Sequence, residues 1–268
     1  MPFVPRLVAS DMDGTLLRGD LSISERTRVA LAAVEGAGVP FVIVTGRPVR
    51  WLKAAADTLG HRGFAVGANG GFVYDLHTER VIDRFELEPQ VAAWLVATIR
   101  RIVPGVSFAV ERETDFGLEA GYRRHVMDDG AIIATAEELV TEPTIKLLAR
   151  HDDWDTDDLM RAVVEAIGDA ATVTHSMGGG LVEISAAGIS KATSLARVCD
   201  SYGVAAADVV AFGDMPNDLP MLQWAGHGVA VANAHPDVLA AADEITFDND
   251  TDGVAAVLER WFGGAPGS

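Results

Sequence analysis

Leu7-Val8-Ala9-Ser10-Asp11-Met12-Asp13-Gly14-Thr15-Leu16-Leu17 sets the architecture of the chain. The apolar run Leu7 to Ala9 reads as a buried strand that breaks abruptly into two acids and a glycine. Acids directly after a buried parallel strand stand at its carboxyl end, where open α/β sheets bind their ligands. Asp11 and Asp13 stand close together in the chain, so one carboxylate can attack a substrate while the other handles a proton. Gly14 lets the chain turn sharply and brings backbone N–H groups toward an anion.

The same alternation of strand and helix continues outward. Ser22-Ile23-Ser24-Glu25 reads as a capping box opening a helix that ends at Gly36-Ala37-Gly38. Val39 to Val44 is a second buried strand, ending in Thr45-Gly46-Arg47-Pro48, and Pro48 opens a helix reaching Leu59-Gly60. Phe64 to Gly67 is a third strand. Asn69-Gly70 marks a hairpin into Phe72-Val73-Tyr74, and Val81 to Leu87 is a further strand. Between 88 and 185 the texture changes. Helices at Pro89–Arg101 and Thr156–Ile167 accompany strands at Val106–Glu111, Thr144–Arg150, Ala171–Ser176 and Leu181–Ser185, joined by short turns. That pattern predicts an antiparallel sheet with helices on one side, inserted into the first domain. Gly178-Gly179-Gly180 reads as a hairpin turn, because no helix follows it. From Ser190 the α/β rhythm resumes, with strands at Val209–Phe212, Gly228–Val231 and Glu244–Phe247 and a last helix at Gly253–Trp261. The tail from Gly263 to Ser268 reads as disordered. The expected fold class is α/β: a doubly wound, mostly parallel core sheet from 1–87 and 186–268, with an inserted α+β domain at 88–185.

Composition narrows the function. The 268 residues carry a net charge of −18, which disfavours nucleic acid and anionic lipid as partners. An anionic substrate would need local cations to reverse that field. Cys199 is the single cysteine, so no intrachain disulfide forms, and its apolar helical setting suggests a buried, inert thiol. No basic leader and no long apolar run occurs, so a cytoplasmic location without membrane association is expected.

Three predicted strand ends carry polar clusters: Asp11/Asp13, Thr45, and Asp214/Asn217/Asp218. Lys191 sits in the first turn of a helix. Several carboxylates converging on one point cannot all stay ionised without a cation. Mg²⁺ suits the task, since it takes one or two carboxylates plus phosphate oxygens. Phosphoryl transfer fits this set. A carboxylate attacks phosphorus, the cation, Lys191, Thr45 and loop N–H groups neutralise the phosphoryl oxygens, and Asp13 protonates the leaving alkoxide and later activates water.

The chain resembles the haloacid dehalogenase superfamily, in its Cof-like branch with a large α/β cap. The resemblance rests on DxDGTLL at Asp11 to Leu17, TGR at Thr45 to Arg47, Lys191 at the head of a late helix, and GDxxND at Gly213 to Asp218, in the family's order. It implies that Asp11 is the nucleophile and a Mg²⁺ ligand, and that Asp13 is the acid/base and lends the metal its backbone carbonyl. It further implies that Thr45, Gly46, Lys191 and Asn217 hold the phosphate, that Asp214 ligates Mg²⁺, and that Asp218 acts through water or on Lys191. Asn69 and Gly70 match a recurrent family position near the site, and a hairpin turn explains them equally well. The family's lysine is usually followed by glycine; here Ala192 follows it.

The expected activity is a Mg²⁺-dependent phosphatase of small phosphorylated metabolites, sugar or polyol phosphates, working through an aspartyl-phosphate. The alternatives are a phosphomutase of the same superfamily and a non-catalytic protein that binds a phosphorylated metabolite. Arg47 and the basic cluster Arg123, Arg124 and His125 are candidate substrate contacts, the cluster being either ordinary surface or a site for a second anionic group. Either a monomer or a homodimer is compatible with the sequence.

Overall fold

The computed structural model describes residues 3–52, 63–123, 130–176 and 178–263. Five strands open the chain: β1 (Leu7–Ser10), β2 (Phe41–Val44), β3 (Phe64–Gly67), β4 (Phe72–Asp75) and β5 (Arg80–Arg84). Six follow in the insertion: β6 (Ser107–Glu111), β7 (Phe116–Leu118), β8 (Ile132–Ile133), β9 (Lys146–Arg150), β10 (Ala171–Thr174) and β11 (Leu181–Ala186). Three more come last: β12 (Val209–Gly213), β13 (His227–Ala230) and β14 (Glu244–Ile245).

The first sheet runs β14-β13-β12-β1-β2-β3-β4-β5. It is parallel from β14 to β3, and β4 and β5 extend it as an antiparallel hairpin. Buried on both faces, β1, β2 and β12 need continuous apolar runs, and Leu7-Val8-Ala9, Val42-Ile43-Val44 and Val209 to Phe212 supply them. The order advances to β2 on one side of β1 and to β12 and β13 on the other. Right-handed crossovers then place helices on opposite faces. Helix α1 (Glu25–Gly36) and the last helix, Gly253–Phe262, pack together; the helices Lys191–Tyr202 and Leu219–Trp224 form a second pair. The strand order reverses between β1 and β12, so Asp11 and Asp214 leave neighbouring strand ends at the crevice where such sheets bind ligands.

The second sheet runs β10-β11-β9-β6-β7-β8 and is antiparallel except between β7 and β8. Helices α2 (Pro89–Ile102), α3 (Ala136–Leu139) and α4 (Thr156–Ile167) cover one face, over Phe108, Val110, Leu147 and Ile184. The period-2 alternation of strands turns Glu111, Lys146 and Glu183 to the opposite face. Each of the three touches the segments that follow the first sheet's strands: Glu111 pairs with Arg50, Lys146 donates to the Gly46 carbonyl at 2.8 Å, and Glu183 accepts from Asn69. That face closes over the carboxyl ends of the core strands.

Several expected boundaries shift. The helix after the acidic loop is capped by Ser24, which accepts from the Thr27 N–H at 2.9 Å, and not by Ser22. Ser22 belongs to the preceding turn, where its N–H donates to Asp20 and its carbonyl accepts from the Arg18 N–H. The strand expected over Val81–Leu87 ends at Arg84, and Leu87 makes a lone bridge with Thr144. The last core strand holds two residues. The helix opened by Pro48 is seen at 49–52; its expected continuation to Gly60 lies outside the described residues, as does the tail from 264. Among the described residues no helix is long and apolar enough to cross a membrane.

Candidate active site

Asp11 follows β1 in extended backbone, and the chain then folds back through Asp13 and Gly14 (φ +76°). The Leu17 N–H closes this turn on the Met12 carbonyl at 2.8 Å. A Cβ at Gly14 would lie 2.4 Å from Asp214 Oδ2, so glycine serves both the positive φ and the approach of the two loops.

Lys191 opens α5 (Lys191–Tyr202), behind a capping box. The Ser190 hydroxyl accepts from the Thr193 N–H at 3.2 Å, and the Thr193 hydroxyl accepts from the Ser190 N–H at 2.9 Å. The lysine is fully buried, with Nζ 2.6 Å from Asp11 Oδ1 and 2.7 Å from Asp218 Oδ1. Burial alone would depress its ammonium, but contact with Asp11 and Asp218 carries it above the ordinary lysine range. The second oxygen of Asp218 accepts from the Asp214 and Met215 N–H groups at 3.1 and 3.0 Å. Both oxygens of Asp218 are therefore committed, and its role is to hold Lys191 and the Gly213–Asp218 loop in place.

Asp11, Asp214 and Asp218 bring carboxylate oxygens within 4.8 Å of one another. Burial and the neighbouring acids raise Asp11 well above the carboxylate range, despite Lys191. Asp214 is pushed up to about 7, chiefly by burial and then by Asp218. Three carboxylates against one ammonium leave an excess of negative charge that a divalent cation would neutralise, and all the donors are hard oxygens of the kind Mg²⁺ prefers. Lys191 takes one oxygen of Asp11, and the Thr15 hydroxyl takes one oxygen of Asp214 at 2.8 Å. The other oxygen of Asp214 suits a cation, and the other oxygen of Asp11 is left without a hydrogen-bond donor among the described residues.

Asp13 is half exposed and held by a two-pronged contact with Arg47, at 2.8 and 2.6 Å. The Asp13 hydrogen bond is the main reason the Arg47 guanidinium is raised further. Thr45 is buried, and its hydroxyl accepts from the Arg47 N–H at 3.1 Å. The Asn217 amide donates to Asn69 Oδ1 at 3.0 Å. A cavity of about 200 Å³ runs beside these residues, lined by Asn69, Lys191 and Asn217 from one sheet's loops and by His175 and Ser185 from the insertion.

The structure thus gathers Asp11, Asp13, Thr45, Gly46, Arg47, Lys191, Asp214, Asn217 and Asp218 at one end of the core sheet. Arg123 stands elsewhere. It lines a separate cavity with Ser107 and Arg150, at the end of β6 and β9 opposite Glu111 and Lys146. Arg124 and His125 lie outside the described residues. Sequence reading missed Lys146 and Glu183, which pair at 3.3 Å beneath Gly46 and Asn69. The available signal was a single charge inside an apolar strand, in Ile145-Lys146-Leu147 and Val182-Glu183-Ile184, since such a charge must find a partner.

The sequence profile of haloacid dehalogenase-like hydrolases matches residues 8–258. The chain belongs to that family. As a haloacid dehalogenase-like hydrolase it is an enzyme, a hydrolase of phosphoric monoesters. It is 30% identical over 270 residues to the 5-amino-6-(5-phospho-D-ribitylamino)uracil phosphatase YcsE of Bacillus subtilis (strain 168), covering 96% of this chain and 95% of that one. Among solved structures, SMU.1108c from Streptococcus mutans UA159 superposes with a TM-score of 0.86 at 23% identity, over 97% of this chain and all (100%) of that one. The HAD subclass IIB sugar phosphatase BT4131 superposes with a TM-score of 0.78 at 22% identity, over 95% and 98%. These two likenesses establish the shared architecture of core sheet and inserted cap.

Proposed function

We propose that this hydrolase is a Mg²⁺-dependent phosphatase of small phosphorylated metabolites, sugar or polyol phosphates, working through an aspartyl-phosphate on Asp11. The observation that carries the reading is Lys191 Nζ clamped between Asp11 and Asp218, at 2.6 and 2.7 Å, with Asp214 alongside. A buried lysine on one carboxylate oxygen fixes the other for in-line attack on phosphorus. Asp11 Oδ2 forms the new P–O bond as the bond to the leaving oxygen breaks. Asp13, released from Arg47, gives that oxygen a proton, then takes one from the water that opens the acyl-phosphate. Lys191, Thr45 and the Gly46 loop meet the phosphoryl oxygens. Asp11, Asp214 and the Asp13 carbonyl would hold Mg²⁺, which neutralises charge on the phosphoryl oxygens when bound. Residues 1–87 and 186–268 act as the catalytic unit and 88–185 as a cap, with hinges near 84–88 and 185–189. Gly188 (φ +74°) lies in open space at the second hinge. The phosphorylated ribityl chain in the name of the Bacillus relative supports a polyol phosphate as the substrate class.

The test is phosphate release from a panel of sugar and polyol phosphates with Mg²⁺, beside Asp11→Asn. Asp11→Asn is expected to lower turnover by more than about three orders of magnitude while leaving the circular dichroism spectrum unchanged. Normal turnover in that variant removes the covalent mechanism. Isomerised sugar phosphate in place of free phosphate would identify a mutase.

A further inference from the structure

We infer that Glu183, on the cap, is a positioning residue that sets the orientation of the Asn217 side-chain amide through Asn69. The inference rests on the phosphatase reading above and adds to it a route by which cap closure reaches the catalytic loop. Glu183 is buried at the end of a short chain of hydrogen bonds. Its Oε1 accepts from Lys146 Nζ at 3.3 Å and from the Ser176 hydroxyl at 3.2 Å, and its Oε2 accepts from Asn69 Nδ2. A carboxylate can only accept, so the NH₂ end of Asn69 must face it. That leaves Asn69 Oδ1 toward Asn217, which must then present its own NH₂ end, and it does so at 3.0 Å. Asn217 Oδ1 is left buried with no partner among the described residues. An amide free to choose would not turn its acceptor to a place without a donor, so the orientation is imposed from the cap side. Its effect is to keep Asn217 Nδ2, with a second N–H still to give, on the side where Asn69 is tied to the phosphate loop by the Asn69 N–H to the Thr45 carbonyl at 3.1 Å. With the cap open, Glu183 leaves Asn69 and either amide can flip.

The chain of hydrogen bonds predicts a rescue that independent contacts would not produce. Asn69→Asp puts a second carboxylate against Glu183. Glu183→Gln keeps its oxygen on Lys146 and Ser176 and turns an NH₂ toward Asn69, which inverts both amides. In the double variant, the amide introduced at position 183 donates to the carboxylate introduced at position 69. That carboxylate accepts from Asn217 in turn, so the original direction returns. Asp, like Asn, tolerates the left-handed backbone at position 69 (φ +58°), so the substitution leaves the turn intact. The experiment measures kcat/KM for para-nitrophenyl phosphate with Mg²⁺, and the Kd of inorganic phosphate by calorimetry, in the wild type, both single variants and the double variant. Thermal melts serve as a check on folding. Each single variant is expected to lose about tenfold in kcat/KM and phosphate affinity, and the double variant to return to within about threefold of wild type. The loss in Asn69→Asp is also expected to shrink as pH falls, because one shared proton restores a donor between the two carboxyls, whereas the double variant shows no such recovery. A double variant as impaired as the product of the singles overturns the inference, as do single variants that match the wild type. A wild type that hydrolyses no ester would count against the phosphatase reading alone, since the phosphate affinities still report the rescue.

Discussion

Asp214 carries the charge balance of the site. Its carboxyl keeps a proton up to about pH 7 in the fold, against an ordinary 3.8. Between those limits the folded chain binds a proton that the unfolded chain does not, so this group's contribution to metal-free stability falls as pH rises through that window. On the proposed reading, Mg²⁺ would displace the proton and relieve the repulsion among Asp11, Asp214 and Asp218. Differential scanning fluorimetry with and without millimolar Mg²⁺ is therefore expected to show a melting shift that grows from pH 5.5 to pH 8, reaching the equivalent of about 2–3 kcal/mol near saturation. Asp214→Asn should lose most of it. A shift independent of pH would show that Asp214 does not bind the metal. Cys199 is the opposite kind of residue: burial pushes its thiol up to about 12, which suits an inert part of the core.

At the scale of elements, the site depends on how one helix begins. Ser190 and Thr193 cap each other's backbone, and the residue between cap and first turn is Lys191, so the cap that stabilises the helix also aims the lysine. Ser190→Ala is expected to cost about 1 kcal/mol in urea denaturation and to lower kcat more than that loss of stability alone would. The helices with clear start signals and strong periodicity, Pro89–Ile102 and Thr156–Ile167, were legible in the sequence to within a residue. So were β1 and β12, because burial on both faces demands unbroken apolar runs, while β2 begins at Phe41, two residues after its apolar run does. The first helix's cap was misread because Ser22 and Ser24 both present hydroxyls before Glu25. The choice between them was made by Asp20 and Arg18, which hold Ser22 in the preceding turn.

For the whole molecule, the question is how a chain of net charge −18 admits a phosphate ester. Lys191, Arg47 and Lys146 supply cations at the seam between sheet ends and cap, where burial makes each count for more than an exposed charge. Lys146 also bridges the two bodies, donating to the Gly46 carbonyl while facing Glu183. Lys146→Met would remove that bridge and leave Glu183 without its cation, so the cap would close less firmly. The expected result in steady-state kinetics is a KM raised by about tenfold with a smaller change in kcat. A changed kcat at constant KM would instead place Lys146 in the chemical step.

Local sequence determined most of the core strands and the long helices, although the strands at Arg80–Arg84 and Glu244–Ile245 end before the spans expected of them do. Apolar runs, caps and glycines act through neighbours a few residues away. Asp11, Lys191 and Asp214 were legible for the same reason: each follows a strand or opens a helix whose end is written locally. What only the folded chain decided is which groups meet across long separations. Arg47 binds Asp13, Glu183 reaches Asn69 over 114 residues, Lys146 reaches Gly46 over 100, and Arg123 stands at the far end of the cap sheet. Those contacts come from the register of two sheets and the way one closes over the other, and no local periodicity encodes them.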